Sequence, residues 1–175
     1  MTVSTTRVTD TSGPNLVRPG TDNSIWYGSA IFSFLASSEM TGGRYSLQHA
    51  RITRGFAPPA PHRHGPEDFY IVRGEVRFWA GEEEFVAREG DFVRTTPGGW
   101  HTFQAESEEA DILIIFSPAG MEGFFKSLGK QAETMDLPGG RVGPPDPARL
   151  RELGPQYGIE FAPPGTTARE MTVKQ

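Results

Sequence analysis

Before residue 120 no helical period runs far without interruption, because glycines and prolines keep cutting the chain into short pieces. Twenty-one glycines and fifteen prolines in 175 residues make turns frequent, which favours an all-β body. The pieces between turns have strand character. "IWYGSAIFSFLAS" and "RYSLQHARI" are rich in β-branched and aromatic residues, with the turn-like "SEMTGG" between them. In "EVRFWA", Val76, Phe78 and Ala80 alternate with Arg77 and Trp79, and "GEEE" turns the chain into "FVA", the pattern of a hairpin. The acidic run has no ligand spacing and reads as a solvated turn rather than a calcium site. "GDFVRTT", "WHTFQA" and "DILIIF" add short strands at close intervals. Many short strands separated by turns point to a sandwich or jelly-roll barrel, not alternating α/β units.

The two ends have a different character. Residues 1–23 are rich in Thr, Ser, Pro and Gly with few large apolar groups, so a flexible N-terminal arm is expected, followed by a barrel over 24–118. Residues 119–175 are expected to form a helical and loop extension packed on that barrel. Met121, Phe124, Phe125 and Leu128 recur at helical spacing after Pro118. In "DPARLRELG", Asp146 suits an N-cap, Pro147 the first helical position and Gly154 the end, while "DLPGGRVGPP" reads as a loop. No internal repeat is visible, so one domain is expected.

Composition narrows the chemistry. Lys plus Arg number 17 against 22 Asp plus Glu, with no basic cluster to track phosphates, so nucleic acid is not an expected partner. The absence of cysteine excludes disulfides, thiolate ligands and cysteine nucleophiles, and suits a reducing cytoplasm. Any metal must be held by histidines and carboxylates. The longest apolar stretch, around Ile112 to Phe116, is far below bilayer-spanning length, and the N-terminus lacks the apolar core of a signal peptide. A soluble, cytoplasmic protein without a membrane partner is expected.

The four histidines are at 49, 62, 64 and 101. His49 shares a strand face with Tyr45, Leu47 and Arg51 and reads as a structural histidine. On an extended segment alternate side chains share a face, so His62 and His64 point one way and Arg63 the other. Two imidazoles so placed can reach one ion. His101, after the glycines of "TPGGWHTF" and on one face with Phe103, can supply a third, and a carboxylate from "PED" would complete a nitrogen and oxygen set suited to a divalent first-row metal. The prolines of "FAPPAP" restrict the segment presenting the pair.

These residues resemble the cupin superfamily. Its first motif, a glycine, His-x-His, a glutamate, six further residues and a glycine, matches Gly55, His62, His64, Glu67 and Gly74. Its second motif matches Gly90, Gly98 and His101, with Thr96 at the motif's proline position and Pro97 beside it. The loop between His64 and Glu67 is shorter than in most relatives, so Asp68 competes as the carboxylate; the spacing from Gly74 favours Glu67, because it keeps the strand register. Ala105 stands where the motif usually has asparagine. Segments such as "TGGRYSL" and "PAGMEGFFKSLG" extend the likeness over roughly residues 25–162, to single-domain quercetinase-like cupins.

The resemblance implies a double-stranded β-helix (jelly-roll) with short C-terminal helices. It implies a metal ion, one of Fe, Mn, Ni, Co, Cu or Zn, on His62, His64, Glu67 and His101, with Glu67 also the catalytic proton acceptor. The expected activity is that of a dioxygenase, taking dioxygen and a small enolic or phenolic molecule of flavonol or polyketide type, with Phe69 and Phe103 as substrate-binding residues. The alternatives on the same scaffold are a non-redox cyclase, isomerase or lyase, and a non-catalytic ligand-binding barrel. A homodimer is expected from the same likeness.

Overall fold

In the computed structural model residues 14–172 are described, without the side chains of 171 and 172; most of the expected N-terminal arm, residues 1–13, lies outside them. Residues 14–20 form neither helix nor strand, and a single 3-10 turn at Thr21–Asn23 leads into the sheets.

The strand-like runs fold as their patterns require. β1 (Ser24–Tyr27) and β2 (Ala30–Ala36) form a tight hairpin. "SEMTGG" contains more than a turn: α1 (Ser38–Thr41) is one helical turn whose Met40 N–H donates to the Ser37 hydroxyl. Then follow β3 (Ser46–Thr53), β4 (His62–Arg63), β5 (Glu67–Arg73), β6 (Glu75–Ala80), β7 (Glu83–Arg88), β8 (Phe92–Arg94), β9 (His101–Ala105) and β10 (Glu109–Phe116). The β6–β7 hairpin closes over Gly81 and Glu82, so the next two glutamates already belong to β7.

The C-terminal part holds α2 (Met121–Leu128), α3 (Pro147–Leu153) and α4 (Ala168–Thr172), and two short strands the sequence did not signal, β11 (Lys130–Gln131) and β12 (Glu160–Phe161). Two-residue strands are too short to show a period. β11 pairs with β1 and β12 with β4, so one antiparallel sheet runs β11-β1-β2-β3-β10-β5-β8 and the other β12-β4-β9-β6-β7. Mostly strands in antiparallel sheets with a few short helices, the architecture is a jelly-roll barrel.

The core lies between the sheets. On β3, Ser46, Gln48, Ala50 and Ile52 are buried while the intervening residues stay half-exposed, and β10 buries Ala110, Ile112, Ile114 and Phe116 in the same alternation. Phe69 of the larger sheet meets Phe78 and Phe103 of the smaller one edge-on, at ring-centroid distances of 5.1 and 5.5 Å. Burying each such ring contributes about 1.5–3 kcal/mol.

The last third is bound to the barrel rather than appended to it. Trp26, on the outer side of β1, is covered by Ala132, Met135, Leu137 and Val142, its indole N–H donates to the Asp136 carbonyl at 3.0 Å, and Arg141 stacks on its ring at 4.3 Å. Glu122 of α2 accepts the N–H groups of Ser38 and Gly120 at 2.6 and 2.8 Å. Burial alone would raise its carboxyl, but these bonds outweigh burial and hold it below its ordinary value. Asp146 caps α3 with Pro147 in its first turn and Gly154 is its C-cap, from which a 3-10 turn continues to Tyr157. Among the described residues no helix is long and apolar enough to cross a membrane.

Candidate metal centre

The site forms where the chain passes from one sheet to the other. His62 on β4 and His101 on β9 are register partners in the smaller sheet, Glu67 opens β5 in the larger one, and His64 stands in the crossing between them. Alternation along β4 sends Arg63 outward, where it pairs with Glu160 at 2.6 Å and lies over the Trp100 ring.

His101 is delivered by a turn that only a particular sequence can make. In Thr96-Pro97-Gly98-Gly99 the Gly99 N–H donates to the Thr96 carbonyl at 2.8 Å, Pro97 fills the second position and Gly98 has φ +74°, as a type II turn demands. The Gly98 N–H also donates to the His64 carbonyl at 2.7 Å, which ties the two histidine-bearing loops together. Thr95 fastens β5 nearby, donating from its N–H and its hydroxyl to the Glu67 carbonyl.

Four buried side chains converge there. His62, His64, Glu67 and His101 each bring one donor atom to within 4.8 Å of the others, close to the span of one first-row ion with ligands at about 2.0–2.2 Å. The ring orientations fit that use. Nδ1 of His62, His64 and His101 faces the backbone carbonyl of Ala60, Gly65 and Gly99 respectively, at 2.9–3.1 Å. Each ring therefore donates its Nδ1–H to the backbone and turns Nε2 inward, the arrangement that fixes tautomer and direction in histidine metal ligands. Glu67 Oε2 lies 3.2 Å from His64 Nε2 and 2.9 Å from His101 Nε2.

The electrostatics are those of a crowded, buried polar cluster. Burial, reinforced by the neighbouring imidazoles, pushes His62 down to about 3, so it stays neutral with a free lone pair. Burial would raise Glu67, but bonds from His101 and His64 prevail and hold it at about 2, a carboxylate. Burial would lower His101, and its bond to Glu67 raises it instead. Three imidazoles and a carboxylate, all buried and oriented, could hold a divalent metal ion.

Asp68 lies on the opposite face of β5, 3.4 Å from Arg94 and away from the cluster. His49 is on the outer face of β3, 3.3 Å from Asp111. A narrow cavity opens beside the centre; its wall includes His62, His64 and Glu67 together with Phe32, Phe56, Phe103, Phe116, Phe125 and Phe161. Phe69 is fully buried between Phe78 and Phe103 and is not part of that wall. Most of the aromatic wall, and Tyr27 with it, had no local signal, because core and cavity aromatics alternate identically along a strand.

Comparison with known proteins agrees with this geometry. Residues 52–116 match the family model of the cupin domain. The chain is 22% identical over 147 residues to quercetin 2,3-dioxygenase of Bacillus subtilis (strain 168), covering 83% of this chain but 42% of that relative's length. Among solved structures, the polyketide cyclase RemF from Streptomyces resistomycificus superposes with a TM-score of 0.50 at 14% identity, covering 61% of this chain and 81% of its own. A protein from Thermotoga maritima described as a predicted oxalate decarboxylase gives 0.50 at 16%, covering 58% and 99%. At such identities these two structures speak for the fold alone. Motif, fold and domain match converge in support of a cupin superfamily, quercetinase-like protein.

Proposed function

We propose that the barrel is a metal-dependent oxidoreductase, a dioxygenase acting on a small enolic or phenolic molecule. The observation that carries this reading is the set of three inward Nε2 atoms and one carboxylate beside an aromatic-walled cavity. The distant likeness to a quercetin dioxygenase supports it.

His62, His64, Glu67 and His101 would hold the ion, and the carbonyls of Ala60, Gly65 and Gly99 keep the three rings from turning away. A bound first-row metal would supply Lewis acidity toward an enolic oxygen and redox chemistry with dioxygen. The cavity wall excludes water and receives the flat body of the substrate, with Phe103 as one of its faces. Glu67 accepts the substrate's hydroxyl proton. In the metal-free site its affinity for protons is suppressed by the bonds from His101 and His64.

Oxygen uptake tests the reading. Protein reconstituted with each first-row metal in turn is expected to consume oxygen with at least one of a panel of flavonols, catechols and 1,3-diketones. Conversion of a panel member without oxygen uptake would move the assignment to non-redox cyclase or isomerase chemistry, and no conversion at all to a binding protein.

A further inference from the structure

One polar side chain on the cavity wall has no part in the metal centre. Tyr27 ends β1, is 5% exposed and lines the cavity. No described residue offers its hydroxyl a hydrogen bond. The hydroxyl is not sealed in either: the fully enclosed unpaired polar atoms among the described residues are Ser46 Oγ and the two amide atoms of Gln48. The residue lines the cavity, onto which an unsealed hydroxyl can open. A buried phenol without a partner is costly, and the ring is held in place by edge-on contacts with Phe32 and Phe125 at 5.7 and 5.6 Å.

Tyr27 makes ring contacts with Phe32 and Phe125 and none with the histidines of the centre. From His64 the ring contacts run to Phe116 at 5.8 Å, then Phe125 at 6.1 Å, then Tyr27. Along that path two phenylalanines stand between the phenol ring and His64. Apart from Tyr27 and the three groups of the centre, every residue on the wall carries an apolar side chain. Burial pushes the phenol above its ordinary value, so it keeps its proton and acts as a donor.

We propose that Tyr27 is the specificity-determining residue of this cavity, donating to an acceptor oxygen at the far end of a flat aromatic ligand whose other polar end faces the His/Glu centre. The substrate class is then an aromatic molecule with two oxygen functions at opposite ends, not a simple catechol. A cavity with one unpaired donor discriminates strongly against a ligand lacking the matching group, because the donor is then left desolvated. This rests on the cavity being the substrate site, as in the proposed function, and needs no metal.

The test uses the metal-free full-length chain, wild type and Tyr27→Phe, titrated calorimetrically with 2-naphthol and with 2,6-dihydroxynaphthalene. Wild type is expected to bind the diol about tenfold more tightly than the mono-ol, and Tyr27→Phe is expected to lose that preference. Comparing two ligands within one variant cancels any general loosening of the wall, and the ring contacts survive the substitution. An equal preference in both proteins, no preference in wild type, or no binding of either naphthol to wild type overturns the proposal. A chain that keeps the diol preference but never consumes oxygen loses the dioxygenase reading and retains Tyr27.

Discussion

Nε2 of His101 stands 2.9 Å from Oε2 of Glu67, although 34 residues separate them and they belong to different sheets. The sheet crossing at 64–66 and the type II turn at Thr96 to Gly99 make this possible, and the Gly98 to His64 backbone bond joins the two. A metal ion bound there would compete with the proton for the same atoms.

The ligand assignment gives the first expectation. His62→Ala, His101→Ala and Glu67→Ala should each weaken metal retention by at least about tenfold to a hundredfold, measured by elemental analysis after dialysis against a weak chelator. Asp68→Ala should leave metal content unchanged and alter stability by less than about 1 kcal/mol, because it removes only an exposed contact with Arg94. Equal metal content in all four variants and wild type would refute the centre.

Acid should destabilise the metal-free protein, and His62 sets the upper part of the window. Its folded value of about 3 lies below the ordinary 6.5, so the unfolded chain binds more protons between the two. The corresponding stability is present above pH 6.5 and is lost as pH falls toward 3. Glu67, depressed to about 2 from 4.5, adds a loss in the same direction at lower pH. His101, raised, works the other way: its contribution is full below pH 6.5 and fades as pH climbs through its raised value. Thermal melts should therefore show Tm dropping from pH 6.5 to 4, with His62→Gln flattening that slope. An unchanged slope in the variant would contradict the assignment.

Gln48 is the conspicuous imperfection of the core. It is fully buried on the inner face of β3, between Phe34 and Ile114 in the register, and neither amide atom has a partner. Gln48→Leu keeps the volume and removes the unpaired groups, so urea unfolding should register a gain of about 1–2 kcal/mol. A loss of stability would mean that the amide is hydrated or liganded in solution.

Gly74 and Gly98 should respond differently to alanine. Both have positive φ, but a Cβ at Gly74 would lie 2.5 Å from Ser107 Oγ and 2.6 Å from the Glu109 carbonyl, whereas one at Gly98 would meet nothing within 4 Å. Gly98→Ala should cost about 1 kcal/mol, the strain of the turn alone. Gly74→Ala should cost distinctly more, because a backbone oxygen cannot swing aside. Denaturant midpoints with equal losses would show that β5 and β6 relax around the clash.

The alternation of Val76, Phe78 and Ala80, the turn glycines and the His-x-His spacing already determine, without coordinates, an all-β barrel and a set of candidate metal-holding residues. These are local properties: a period of two sets a strand's faces, and a fixed spacing sets which side chains share one. Only the tertiary structure decided what depends on elements meeting across the barrel. It separated Glu67 from Asp68 by placing them on opposite faces of β5, kept Phe69 in the core while Phe103 borders the cavity, and brought Tyr27, from the first strand, to the same wall as Phe161 from the last. It also recruited Lys130–Gln131 and Glu160–Phe161 as strands, through pairing with β1 and β4 rather than through any propensity of two residues. The division is physical: a side chain's face is written along the strand, but its neighbours belong to segments tens of residues away, and their choice is made by packing.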